Sequence, residues 1–260
     1  MKKILSVLTV IVAIFITIFA LFAVYLYKNY ETPILTYHSF DKTRIKTFAA
    51  VDPEVFYRQM KFIKNHNYEV VLLQDYCKLL KENKPIPRNL IVITADDGYH
   101  DNLEAVKIWK KFNYPVTIFL IVDKIGQPGY LSKEEITSFL KDTKVRIGSH
   151  TLSHPLLPEI SEGQLKREIL ESKNKLENLF SYNIKTIANQ GGEFDGRTLN
   201  EVEKLDYLCG CTTNIGSSRK LNSFALRRIK VTNNDSDFTL WAKLSGFYNI
   251  FKRPKKAYKY

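Results

Sequence analysis

The feature that most narrows the fold is a series of short apolar runs that do not alternate with polar residues. They are "PILTYH" (33–38), "YEVVLL" (68–73), "LIVITA" (90–95), "VTIFLIV" (116–122), "VRIGS" (145–149), "IKTIAN" (184–189), "YLCGCTT" (207–213) and "LRRIKV" (226–231). A strand with one wet face alternates, whereas a strand covered on both faces reads as a continuous apolar run. Eight such runs, separated by stretches of helical spacing, predict an α/β fold with a parallel sheet, and about eight βα units favour a barrel over an open sheet. Several helix starts are visible. Asp52 followed by Pro53 caps a helix in which Val55, Met60 and Ile63 supply much of the apolar face, and Ser132 with Glu135 and Ser161 with Gln164 form capping boxes. There is no Gly-rich phosphate loop, so a nucleotide cofactor is not expected.

A different segment precedes these units. Residues 4–27, "ILSVLTVIVAIFITIFALFAVYLY", hold 24 positions without a charge, enough to cross a bilayer core of about 30 Å as a helix. A cleavable signal peptide has an apolar part of only about 7–15 residues before an A-x-A-like site, and no such site is seen. Lys2, Lys3 and the amino terminus precede the segment and only Lys28 closely follows it, so the positive-inside tendency puts the body outside the membrane. The expected organisation is a single-pass anchor (1–28), one extracytoplasmic domain (29–250) and a basic tail (251–260).

The three cysteines, Cys77, Cys209 and Cys211, lead to the expectation that no disulfide framework holds the fold, with Cys209 and Cys211 buried as core residues on one strand face. The formal charge is +12, of which the first 31 residues contribute +2. The densest positive patch is the tail "FKRPKKAYKY". For an exported chain this suggests anionic lipid or wall polymer as a neighbour, or a merely solvated tail, rather than nucleic acid.

In parallel barrels the chemistry gathers at the C-terminal ends of the strands. Here those ends carry Tyr37-His38, Asp96-Asp97, Ser149-His150 with His154 behind, and Asn189-Gln190. His66 and His100 fall at helix boundaries and read as solvated surface. Two carboxylates can share a site only where the strand breaks into a loop, and Gly98 permits that break, although Asp-Asp-Gly is also ordinary turn chemistry. His150 and His154 are four apart, so one helical turn would face both imidazoles to one point. With a carboxylate from another strand end they make a three-ligand site with a position open for water, the arrangement of a catalytic zinc. Ligand type alone also permits cobalt, nickel or iron. One of the two aspartates would then bind metal and the other handle the proton.

"TADDG" (94–98) and "SHTLSH" (149–154) resemble the first and second motifs of the polysaccharide deacetylases with the NodB homology fold, carbohydrate esterase family four. The resemblance runs from "PILTYHSF" to "LRRIKV". It implies a distorted (β/α) barrel behind the N-terminal transmembrane helix, with Asp96 as general base and Asp97, His150 and His154 as ligands of a divalent metal. Many members also carry a late histidine that protonates the leaving amine, but no histidine follows His154. The deacetylases of poly-β-1,6-N-acetylglucosamine draw that histidine from an N-terminal "YH" motif, which "LTYHSF" resembles, so His38 is the implied general acid. The third motif departs from the family. "IANQGGEFD" lacks the aromatic wall and the proline, leaving Asn189, Gln190 and Gly191 to supply a backbone donor for the oxyanion.

The expected function is an extracytoplasmic, metal-dependent hydrolase that removes N-acetyl groups from an N-acetylglucosamine exopolysaccharide. The alternatives are a deacetylase of peptidoglycan or another wall glycan, and a catalytically silent glycan-binding barrel.

Overall fold

The computed structural model describes residues 2–28, 30–44, 50–213 and 223–250; the basic tail lies outside them. The chain begins with α1 (Lys2–Lys28) and continues β1 (Ile34–Tyr37), α2 (Pro53–Asn65), β2 (Glu69–Val71), α3 (Leu73–Lys81), β3 (Leu90–Ala95), α4 (Asn102–Phe112) and β4 (Val116–Leu120). The second half runs α5 (Lys133–Asp142), β5 (Val145–Ser149), α6 (Glu162–Phe180), β6 (Thr186–Ala188), α7 (Gly196–Lys204), β7 (Cys209–Cys211), β8 (Ile229–Lys230), α8 (Asp237–Leu244) and α9 (Phe247–Ile250). Each of the eight apolar runs holds one strand, trimmed at its ends.

Every pairing is parallel. The order is β7-β6-β5-β4-β3-β1-β8, with β2 added to the start of β3. The last strand segment curls the sheet into a barrel: Leu226 bridges Cys211 on β7, and three residues later Ile229 and Lys230 pair with Leu35 and Thr36 on β1.

The core explains why the strands are apolar throughout. One buried cluster holds Leu35, Ile91, Ile93, Val116, Ile118, Val145, Ile147 and Ile187 together with Phe56, Met60, Trp109, Ile136 and Ile169 from the helices. A second holds the alternate strand residues Ile34, Leu90, Val92, Phe119, Ala188, Cys209 and Cys211, with Leu73, Tyr76 and Cys77 of α3. The first faces the surrounding helices and the second fills the barrel, so neither strand face meets water. The caps are as the sequence indicates: Asp52 accepts from Glu54 N, and Ser132–Glu135 and Ser161–Gln164 form reciprocal boxes.

The cysteine expectation is corrected. Cys77 on α3 and Cys209 on β7 form a disulfide with Cα atoms 6.2 Å apart, while Cys211 is free and buried. The partners lie 132 positions apart, and only the packing of α3 into the barrel brings them together. A bridge closing so long a loop contributes on the order of 2–5 kcal/mol. Cys77→Ser is accordingly expected to lower the unfolding midpoint by about 5–10 °C. Free alkylation of Cys77 in the native, unreduced chain would show that no bridge forms.

α1 touches the body near its C-terminal end, through Phe22 and Tyr27. Its Val7–Lys28 portion, 22 residues, is not buried and is long and apolar enough to cross a bilayer, a test that a signal sequence also passes.

Candidate active site at the strand ends

Along β3 the inward side chains are Leu90 and Val92, and the same register continues through Thr94 to Asp96. Asp96 is therefore the last inward residue of its strand and fully buried. Asp97 would point outward, but its backbone has turned left-handed (φ 73°), followed by Gly98 at φ 71°. A side chain on Gly98 would also put Cβ 2.6 Å from Leu120 Cδ2. The break at Asp97-Gly98 is what lets two consecutive acids serve one site.

Asp97, His150 and His154 converge. Asp97 Oδ1 lies 3.4 Å from His150 Nε2 and 3.5 Å from His154 Nε2, and the two nitrogens are 3.2 Å apart. Three ligand atoms held about 2.1 Å from a tetrahedral ion would be separated by about 3.4 Å, so the triangle fits a metal, and these residues can hold one. His150 Nδ1 is 2.7 Å from Ala188 O. A carbonyl oxygen only accepts, so Nδ1 carries the proton and Nε2 presents its lone pair to the triangle. Burial, aided by His150, pushes the His154 pKa down to about 4, leaving that imidazole neutral. His150 shifts the other way: burial opposes it, but Asp97 and Asp96 raise its pKa. A pocket that draws a cation onto one of its imidazoles is the electrostatic setting a metal ligand set requires.

The two histidines do not meet through a helical turn, as the spacing suggested. Residues 150–154 form a loop with Thr151 at φ 68° and His154 at φ 72°. Side chains fix that loop. Ser149 Oγ accepts from Thr151 N, and Thr151 Oγ1 from His154 N. Glu168 on α6 accepts from Leu152 N, Ser153 N and Ser153 Oγ at 2.9, 2.9 and 2.6 Å. Pro155 ends the segment where a helix could otherwise start. Glu168→Gln would present an amide to donors that need an acceptor. It is expected to weaken metal binding about 10–100-fold with the fold retained; calorimetric zinc titration alongside circular dichroism measures this, and unchanged affinity would count against a positioning role.

Asp96 has a partner that the sequence reading did not identify. Arg228, fully buried on the segment joining β7 to β8, donates Nη1 and Nη2 to the two Asp96 oxygens at 2.6 Å each, Nη1 also to Thr94 Oγ1 at 3.1 Å, and Nε to Thr212 O at 3.0 Å. Burial alone would raise the Asp96 pKa, but the Arg228 guanidinium holds it far below the usual carboxylate range. Asp96 is thus ionised at any working pH. The available signal was a charge within a strand expected to be covered on both faces, a position where it needs a partner, but Arg227 and Lys230 in the same run "LRRIKV" mask it.

His38 follows β1, and its Nε2 lies 4.0 Å from Asp96 Oδ2. Asn102 Nδ2 donates to His38 O, and Asp101 accepts from Phe40 N and Ser39 Oγ, so the start of α4 fixes the backbone there. Burial lowers the His38 pKa against the pull of Asp96 and Asp97, making the ring neutral near pH 7.

The third-motif residues border this group, because Ala188, which holds His150, precedes Asn189. Gln190–Gly192 form a single 3₁₀ turn with Gly191 at φ 58°. Gly192 has φ 74°, and a Cβ there would sit 2.0 Å from Thr213 N, so only glycine fits. Asn189 is 1 % exposed, yet among the described residues its amide nitrogen and oxygen find no hydrogen-bond partner, nor does Gln190 Oε1. His66 and His100 are surface residues away from the site, stacked on Phe62 and paired with Glu135 respectively.

Comparison with known proteins gives a consistent result. Residues 83–210 match the polysaccharide deacetylase family model. YxkH of Bacillus subtilis (strain 168), classed with the polysaccharide deacetylases, is 30% identical over 207 residues, covering 79% of this chain and 73% of that protein. The poly-β-1,6-N-acetyl-D-glucosamine N-deacetylase of Staphylococcus aureus (strain MSSA476) is 26% identical over 208 residues, covering 75% and 67%. Among solved structures, the Streptococcus pyogenes deacetylase PplD in complex with acetate superposes with a TM-score of 0.76 at 25% identity, over 82% of this chain and 97% of that one.

Proposed function

The chain belongs to the polysaccharide deacetylase family, and from that premise we propose that it removes N-acetyl groups from a poly-β-1,6-N-acetylglucosamine-like exopolysaccharide outside the membrane. The observation that carries the reading is the cluster at the strand ends: a metal-ligand triangle beside an ionised Asp96, with His38 4.0 Å from that carboxylate. His38 directly after β1 and the lack of any histidine after His154 favour the matrix polymer over a wall glycan. The 26% identity to the staphylococcal enzyme agrees with this. The Cys77–Cys209 bridge supports an extracytoplasmic domain, because disulfides persist in oxidising compartments.

Asp97, His150 and His154 would hold the metal, zinc by ligand type. When bound, such an ion lowers the pKa of water towards about 7 and polarises a carbonyl. Asp96 accepts the proton of the attacking water as oxygen adds to the acetamide carbon. The Arg228 clamp makes Asp96 a weak base, so the proton does not stay there, and His38, neutral at rest with Nε2 4.0 Å from Asp96 Oδ2, takes it through one bridging water. His38 then delivers it to the nitrogen as the C–N bond breaks, giving acetate and a glucosamine residue. Backbone N–H groups of Gln190 and Gly191 would stabilise the oxyanion, whereas the Asn189 N–H is already given to Cys211 O. The freed amines are cationic and let a biofilm polymer adhere to anionic surfaces.

The test is acetate release by the full chain in detergent, zinc-loaded and chelated, from β-1,6-linked N-acetylglucosamine oligomers and from peptidoglycan fragments. Zinc-dependent release from the first supports the reading, and release from the second alone moves the function to the wall. No release from either, with zinc bound, points to a silent glycan-binding barrel. His38→Ala is expected to keep its zinc and to lose about two to four decades in turnover; full activity in that variant would place the proton donor elsewhere.

A further inference from the structure

The exposed side of α8 carries one charge, Asp237, paired with Arg58, and is otherwise aromatic. Leu240 and Leu244 are buried against the barrel, while Phe238 and Trp241 point outward, 68% and 40% exposed. Outside α1 these are the only large hydrophobic side chains exposed among the described residues. Two large rings side by side in the open, where all others described beyond α1 are covered, mark a contact surface.

The position of that open side indicates its neighbour. Phe238 stacks with Trp241 at 5.7 Å between ring centroids, Trp241 meets Phe247 of α9 at 5.9 Å, and Phe247 packs edge-on against Phe22 of α1 at 6.0 Å. The rings thus form a ladder from α8 to the apolar helix. Arg88 pins the end of that helix to the body: its guanidinium lies 3.1 Å from the centroid of the Tyr27 ring and donates to Tyr27 O. α1 has 27 residues, about 40 Å at 1.5 Å per residue, against a hydrocarbon core of about 30 Å. About 20 residues counted from Lys3 end near Phe22, so Phe22 lies at the far hydrocarbon boundary, and deeper if α1 is centred on Val7–Lys28. Phe247 must sit at nearly the same level. Tryptophan and other aromatic rings concentrate at that level of a bilayer.

We propose that α8 and α9 seat the domain in the interfacial layer of the phospholipid bilayer crossed by α1, with Phe238, Trp241 and Phe247 just beneath the headgroups. The proposal rests on α1 being a membrane span and adds a second, peripheral contact to it. The chain passes directly from α1 to the start of β1, so the N-terminal ends of the strands face the membrane and the site at their C-terminal ends faces away.

Trp241 reports on this directly, because the other tryptophan, Trp109, is fully buried. The full chain is reconstituted in phosphatidylcholine/phosphatidylglycerol vesicles carrying a nitroxide either near the headgroup or deep in the acyl chain, and the same samples are floated on a density gradient. The expected result is a blue-shifted emission, lost with the shallow nitroxide more than with the deep one, and absence of the quenched component in Trp241→Phe. A chain that floats with unquenched Trp241 overturns the docking while leaving the span intact. A chain that does not float overturns the span, and the docking with it. Blue-shifted, unquenched emission that depends on protein concentration assigns the patch to another protein chain and overturns the proposal.

Discussion

Asp97→Ala is expected to abolish acetate release and to leave the purified chain without stoichiometric metal. Asp97 Oδ1 is within 3.5 Å of both imidazole nitrogens and is the sole anionic member of the triangle. Without it two histidines remain, and two neutral ligands on a loop hold a divalent ion poorly. Asp96→Asn should behave differently. The amide cannot accept a proton, so turnover falls by about two to four decades, but Asp96 is not a corner of the triangle and metal should stay bound. Metal content after dialysis, read beside acetate release for both variants, separates the roles. Equal loss of metal in the two would show that the adjacent carboxylates do not divide the work.

Arg228→Met should destabilise the protein by about 3–5 kcal/mol at neutral pH, since it strands the buried Asp96 carboxylate without a counter-ion. For a chain of this size that is a fall on the order of 10 °C in the unfolding midpoint. Adding Asp96→Asn to Arg228→Met removes the stranded charge, so the double variant should recover much of the loss while staying inactive. The pH dependence has a defined sign. In the parent chain the Asp96 pKa is depressed on folding, so its stabilisation is present above about pH 4 and is lost only as pH falls through the lower folded value. In Arg228→Met burial is opposed only by His150 and His38, so that pKa rises from its parent value and the deficit should shrink as acid protonates the carboxylate. A variant as stable as the parent at pH 7.5, or no recovery in the double variant, would mean that the pair is not coupled in the folded chain.

The strands were legible because each is covered twice. Ile91 packs against helices and Val92 against the barrel interior, and the unbroken run "LIVITA" records both contacts. The convergence of Asp97, His150 and His154 was legible because strand ends in a parallel barrel share one rim. Three things were not. The His150–His154 spacing suggests a helical turn, yet the geometry comes from left-handed residues, Thr151 and His154, held by side chains that no local pattern announces. Cys77 pairs with Cys209 through the tertiary packing of α3, whereas spacing draws attention to Cys209 and Cys211. Arg228 looks like one more strand residue beside Arg227, and its value depends on an aspartate 132 positions earlier. Patterns of period two or 3.6 report which face is covered; they carry no information on which distant residue covers it.

The segment that curls the barrel has a further consequence for how the protein is made. Leu226 joins β7 and Ile229 joins β1, and Arg228 between them neutralises Asp96. A chain emerging amino terminus first places its apolar N-terminal helix, its paired acids and both histidines of the triangle before this segment exists. Until it arrives, β1 and β7 are unpaired edges and the base is a stranded charge. The final strand therefore works as a completeness check on biosynthesis. A chain cut short before Leu226 would carry Asp97, His150 and His154 in its sequence, yet leave Asp96 without its counter-ion and the barrel open.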